Sequence, residues 1–101
     1  MRKKLITSMG EFLQKEFMDP LNLSANLVAK KINVPVSRIQ HILQNRQNVD
    51  ADTSIRLGRL FGMSDRFFLD VQIDINARNI NQQNMNEYNK IGSIVKPPKF
   101  N

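Results

Sequence analysis

The sequence predicts an all-α fold, a compact bundle of five helices, and three observations predict it. Residues that favour helix starts, Ser8, Ser24 and Asp50, stand at the head of segments whose apolar side chains return every three or four positions. Residues that end helices follow: Asn33 and Gly62 close two of these segments, and Asp19-Pro20 interrupts another. The connections between segments are only a few residues long, as they are between neighbouring helices of a bundle.

Taken in order, Ser8-Met9-Gly10-Glu11 has the form of a capping box, in which hydroxyl and carboxylate each satisfy a backbone amide at the other's position. Phe12, Leu13, Glu16 and Phe17 follow at helical spacing, and Asp19-Pro20 is expected to stop this first helix, because a residue before proline disfavours the α conformation. Ser24 caps a second helix through Leu27, Val28, Ala29 and Ile32, and Asn33 ends it, asparagine being tolerant of a left-handed backbone. Pro35 marks the start of a third helix, where its missing N–H costs little. Ile39, Ile42 and Leu43 make one apolar stripe there, and Ser37, Arg38, Gln40, His41 and Gln44 occupy the other face. Asn45-Arg46-Gln47-Asn48 reads as a polar loop. Asp50 then caps a fourth helix, with Ile55, Leu57, Leu60 and Phe61 inward and Gly62 closing it, and Ser64 is expected to open a fifth at Asp65.

In that fifth segment Val71, Ile73 and Ile75 alternate with polar residues, a pattern that read alone suggests a strand. Wound on a helix, the apolar residues form two stripes: Phe67, Phe68, Val71 and Ile75, and nearly opposite them Leu69, Ile73, Ala77 and Ile80. One stripe can seal the domain's own core. The other needs a second surface, either within the chain or from a second copy across a two-fold axis. The preferred reading is the second copy, with Phe68, Leu69, Ile73, Ala77 and Ile80 at the dimer interface. After Ile80 the sequence turns Asn- and Gln-rich, which predicts a fraying helix and then a mobile tail over residues 81–101.

A net charge of +6 and a pI near 10.1 favour an anionic partner, nucleic acid ahead of an acidic membrane surface. The chain has no cysteine, which excludes disulfides, thiolate metal sites and cysteine nucleophiles. Met1-Arg2-Lys3-Lys4-Leu5-Ile6 starts like a signal peptide, but its apolar run stops after two residues. No stretch approaches the roughly 18 apolar residues of a bilayer span, and a cytoplasmic protein is expected. Enzyme chemistry finds little support. His41 is the only histidine, Asp50 and Asp52 are accounted for by a helix start, and neither a Ser-His-Asp set nor a glycine-rich phosphate loop occurs. No metal, cofactor or small-molecule substrate is expected.

The informative unit runs from Leu23 to Asn45: a capped helix, a tight turn at Asn33-Val34-Pro35, and a second helix with a polar outer face. Small Ala29 lets the two helices approach, and Val34 and Ile39 fill the joint. Such a unit lays its second helix in the major groove of double-stranded DNA while its first crosses the phosphate backbone. Val36, Ser37, Gln40 and His41 lie on or near the leading face; glutamine suits two hydrogen bonds to adenine, serine is permissive, and valine can meet a thymine methyl. Arg38 could read guanine or grip phosphate. Gln44, Asn45, Arg46 and Gln47 are placed for backbone contacts; Ser24 reads first as a cap, with an added phosphate contact as the functional alternative, and Arg2, Lys3 and Lys4 read first as a disordered tail, with a minor-groove arm as the alternative.

The run Leu23-Ser24-x-x-x-Val28-Ala29-x-x-Ile32-x-Val34-x-x-Ser37-x-Ile39 resembles the helix-turn-helix of the phage-repressor-like (Xre) family. Val34-Pro35-Val36-Ser37-Arg38-Ile39, the stretch from Ala51 to Gly62, and Phe67-Phe68-Leu69 are similar to HigA-type antitoxins. Asn33 replaces the glycine common at this turn, and Gln47-Asn48 the usual basic-glycine pattern after the third helix. The resemblance implies a homodimer that binds a palindromic operator in its own promoter. It also implies a partner toxin, a HigB-type ribosome-dependent endoribonuclease neutralised by binding. A stand-alone regulator of the same family, without a toxin, is the alternative. The expected organisation is a basic arm at 1–7, a DNA-binding domain with a dimerising last helix at 8–80, and a polar tail at 81–101.

Overall fold

The computed structural model describes residues 8–95; the expected basic arm at 1–7 and the last residues of the tail, 96–101, lie outside them. The described residues are helical throughout, joined by short turns, with no strand among them. We label the helical run 9–21 α1. It opens as an α-helix, Met9–Phe12, widens into a π-helical stretch, Leu13–Met18, and tightens into a 3-10 turn, Asp19–Leu21. α2 is Ala25–Ile32, α3 Val36–Leu43, α4 Ala51–Phe61 and α5 Phe67–Asn89.

The helix starts follow local chemistry. The Ser8 hydroxyl accepts from the Glu11 N–H at 3.2 Å, the Ser24 hydroxyl from Leu27 at 3.1 Å, and the Asp50 carboxylate from Thr53 at 2.8 Å. Each bond satisfies one of the amides that a helix start leaves without an intrahelical partner. The first four helices also end alike. Asn22, Asn33, Asn45 and Gly62 adopt left-handed backbone angles (φ 54°, 59°, 60° and 71°). Immediately after each, an N–H returns to a carbonyl five residues back: Leu23 to Met18, Val34 to Ala29, Arg46 to His41 and Met63 to Gly58, at 2.8–3.0 Å. This closure satisfies end carbonyls and reverses the chain without a long loop.

Leu13, Met18, Val28, Ile39, Ile42, Val49, Leu57 and Phe68 form the core. The rings of Phe12, Phe17, Phe61, Phe67 and Phe68 pack beside it, with centroids 4.9–6.4 Å apart in edge-on or tilted pairs that suit aromatic quadrupoles. Two glycines mark the closest approaches between segments. A Cβ on Gly10 would lie 2.2 Å from the carbonyl oxygen of Leu43 at the end of α3, and one on Gly58 would lie 2.5 Å from that of Ser64.

Several expectations need correction. The first helix does not stop at Asp19-Pro20: proline is accepted in the first turn of the 3-10 segment, where its absent N–H is not required, and Asn22 ends the run. Ile55 does not face inward; it is 42% exposed, and the buried positions of α4 are Thr53, Ser54, Leu57 and Gly58. The Ser54 hydroxyl donates to the Asp65 carbonyl at 2.7 Å and accepts from the Leu69 N–H at 2.9 Å, fastening α4 to the start of α5. Ser64 does not open a helix at Asp65. Residues 65 and 66 form a turn, fixed by that bond from Ser54 and by Arg59, which grips the Asp65 carboxylate at 2.8 and 3.1 Å, and α5 starts at Phe67. Past Ile80, where a fraying helix is expected, the chain does continue as helix. α5 runs to Asn89, with non-helical angles at Asn84 (φ −120°, ψ 20°), whose side-chain amide donates to the Ile80 carbonyl at 3.3 Å.

The two stripes of α5 separate largely as expected. Phe68 and Ile75 are buried, with Phe67 and Val71 half-buried beside them. Gln72 joins this side: its amide oxygen accepts from the Val49 N–H at 2.9 Å and its nitrogen donates to Asn76 at 3.1 Å, so both ends of a buried polar group are hydrogen-bonded. On the opposite side Ile73 and Ile80 are 52% and 48% exposed, Ala77 is exposed and Leu69 half-buried. Phe68 is the exception among the five expected interface residues. It is 0% exposed, sealed in its own chain's core, and cannot reach a second copy.

Candidate nucleic-acid interface

The unit from Leu23 to Asn45 forms as its local signals require. Ala29 and Ile39 are buried at the crossing of α2 and α3, and Val34 packs against the core between them. Pro35 caps α3 with its carbonyl, which accepts from the Arg38 N–H at 3.0 Å. The turn therefore sets α3 against α2 with no adjustable linker.

The outer face of α3 is a polar row. Ser37, Gln40 and Gln44 are all exposed, at the three- and four-residue spacings that stack side chains along one side of a helix. Arg46 and Gln47 extend this exposed polar stretch into the following loop, and Ser24 is exposed at the start of α2, its hydroxyl oxygen accepting from the Leu27 N–H. Val36 and His41 are half-buried at the margins, Val36 against the core.

Two expected members are engaged inside the chain. The Asn45 side-chain oxygen accepts from the Gly10 N–H at 2.9 Å, so this residue ends α3 and seats α1 on it. Arg38 donates from Nη1 to Asp52 at 2.8 Å, with Thr53 Oγ1 3.5 Å away. Asp52 also accepts from Arg56 Nε at 2.9 Å, and Arg56 Nη1 donates to the Ile32 carbonyl at the end of α2, again at 2.9 Å. The hydrogen bond from Arg38, then that from Arg56, hold the Asp52 carboxyl below the usual carboxylate range. The Thr53 N–H does the same for Asp50 at the helix start. Sequence reasoning missed this pairing because it joins positions 14 residues apart on different helices, though Asp52 and Arg56 at helical spacing were a partial signal.

No group of three or more potential metal ligands occurs among the described residues, and no helix there is long and apolar enough to cross a membrane. What the surface offers is hydrogen-bonding capacity on a rigid helix: amide groups that both donate and accept, a hydroxyl, and cations at its margins.

Residues 14–68 match the helix-turn-helix family. Virulence-associated protein I of Dichelobacter nodosus is 40% identical over 63 residues, 62% of this chain and 58% of that protein, so this chain spans less than two thirds of that relative. Among solved structures, the Pseudomonas aeruginosa antitoxin HigA with the higBA promoter superimposes with a TM-score of 0.80 at 25% identity, over 87% of this chain and 97% of that one. The antitoxin GraA in complex with its operator does so with a TM-score of 0.82 at 26% identity, over 95% and 99% of the two chains.

Proposed function

This chain belongs to the helix-turn-helix family, and we propose that it is a sequence-specific DNA-binding antitoxin of a type II toxin–antitoxin module. As a homodimer it binds an operator in its own promoter and represses it. By binding, it also neutralises a HigB-type endoribonuclease. It acts in the cytoplasm and has no catalytic activity of its own.

The observation that carries this reading is the uninterrupted polar row Ser37, Gln40 and Gln44 on a helix whose other faces are fixed by packing. Side chains of these types match base edges in the major groove, and Gln40 is placed for the two-bond contact with adenine. Ser24, Arg46 and Gln47 serve as phosphate contacts around it, and Val36 and His41 flank the read bases. Leu69, Ile73, Ala77 and Ile80 pair two copies, so that two α3 helices address successive major grooves. The likeness to antitoxin structures holding promoter or operator DNA supports the same assignment.

The test is an anisotropy titration of the full chain against the DNA upstream of its own reading frame, with a shuffled duplex of equal composition as control. Preference for the native duplex by about a thousandfold or more is expected. Equal, weak binding to both would overturn the assignment. Replacing Gln40 with alanine should flatten the preference at one base pair, losing about 1–3 kcal/mol of discrimination there.

A further inference from the structure

Arg38 stands in the first turn of α3, the end that leads into the groove if the DNA-binding reading above holds. Its guanidinium is turned instead toward the start of α4, where Asp52 Oδ2 receives both Arg38 and Arg56. Through Arg56 and the Ile32 carbonyl, the same carboxylate links α3 and α4 to the end of α2. The pair is not sealed off: the Arg38 and Asp52 side chains are 29% and 53% exposed. An ion pair in that setting is weak and exchangeable, and a phosphate oxygen is a strong competing acceptor for a guanidinium. Yet a phosphate contact carries no sequence information, so it is open to the protein on any duplex and in any register. On the operator the base contacts of α3 fix one register and with it the phosphates within reach of Arg38, whereas on other DNA the protein settles in whichever register offers the contact, so a released cation raises background binding more than operator binding.

From this geometry we propose that Asp52 is a specificity-determining residue: by holding Arg38 it withholds a sequence-independent phosphate contact and leaves discrimination to Ser37, Gln40 and Gln44. Asp52 acts through Arg38, not by touching DNA. It is suited to this because Arg56 and the Thr53 hydroxyl flank the pair and steady it.

The experiment compares the full-length chain with Asp52→Asn, Arg38→Gln and the double variant, on operator and shuffled duplexes over a series of salt concentrations, with a thermal melt of each protein. Asp52→Asn is expected to bind the shuffled duplex about fivefold more tightly, the most that an exposed pair is worth. Its operator affinity should rise less, so the specificity ratio falls. The salt slope on the shuffled duplex should steepen by about one, the signature of one added phosphate contact. Both changes should vanish when Arg38 is also glutamine. The proposal is overturned if the tightening persists in the double variant, which would make it simple loss of a negative charge. It is equally overturned if Asp52→Asn leaves binding unchanged, or weakens both duplexes alike at constant slope. Should that variant melt early, Asp52→Ser repeats the comparison with a smaller neutral polar residue in the first turn of α4. The wild-type titration alone decides whether the protein discriminates operator DNA, so a failure of that reading is seen separately from a failure of the role given to Asp52.

Discussion

α3 and α5 are built on the same plan and finished differently. Each buries one stripe, Ile39 and Ile42 in the first, Phe68 and Ile75 in the second. α3 is eight residues long, ended by a left-handed asparagine, and turns Ser37, Gln40 and Gln44 outward. α5 is 23 residues long, has no such closure, and turns Ile73 and Ile80 outward. On the function proposed above, the face left over after the core is filled sets the role of each helix. A polar face on a rigid, short helix loses little by staying in water and gains by meeting base edges, whereas large aliphatic side chains in water are stabilised by about 25 cal/mol for every Å² that a second surface covers.

Five substitutions at four positions break or sharpen this contrast. The largest effect is expected from Phe68→Ala, which removes a fully buried ring from the inner side of α5. It should cost about 3–5 kcal/mol in denaturant unfolding, and a loss near zero would show that this side is not core. Gly10→Ala comes next, at about 1–3 kcal/mol, because its methyl would collide with the Leu43 carbonyl that closes α3. Unfolding midpoints of this variant would report whether α1 depends on that seat. Ile73→Glu should leave the unfolding of the isolated chain within about 0.5 kcal/mol. It should nonetheless weaken self-association by about tenfold or more in sedimentation; an unchanged dimer would return the outer stripe to ordinary surface. The smallest effect belongs to the start of α4. Asp50→Ala should lose about 1 kcal/mol, and Asp50→Asn, which can still accept from Thr53, little at pH 7.

The Asp50 pair also carries a pH signature. Its folded carboxyl is held below the ordinary value of 3.8 by the Thr53 N–H. The stabilisation is therefore present above that value and is lost as pH falls through the lower folded value. Melting temperatures measured at pH 7 and near pH 3 should fall further for the wild type than for Asp50→Asn, which does not titrate there. Equal falls would remove Asp50 from the acid response.

The sequence made the helix starts at Ser8, Ser24 and Asp50 and the ends at Asn33 and Gly62 readable, because a cap is a bond between a side chain or a left-handed residue and backbone only a few positions away. The polar row on α3 was readable for the same reason, periodicity being local. Illegible were features decided by a distant partner. Ser54 is buried because Asp65 and Leu69 occupy its hydroxyl, Gln72 because Val49 needs its oxygen, and Arg38 turns inward because Asp52 stands opposite. Phe68 belongs by helical spacing to the inner stripe with Val71 and Ile75; counting it at the dimer interface as well was the error, and its complete burial decides for the core. Where the helix past Ile80 ends was not legible, because its Asn- and Gln-rich stretch carries no apolar periodicity to read.

The bend at Asn84 divides α5 into parts with separate fates. Up to Ile75 its inner face is anchored in the core, and amides there are expected to exchange by global opening. Beyond the bend five residues remain, Met85 to Asn89, all exposed. Helices of that length do not persist alone in water, where about 12–15 residues are marginal. In the isolated chain these amides therefore open by unzipping from the C-terminal side, independently of global unfolding, and deuterium uptake along a single helix would trace two distinct opening free energies, with the step between them falling beyond the last anchored turn.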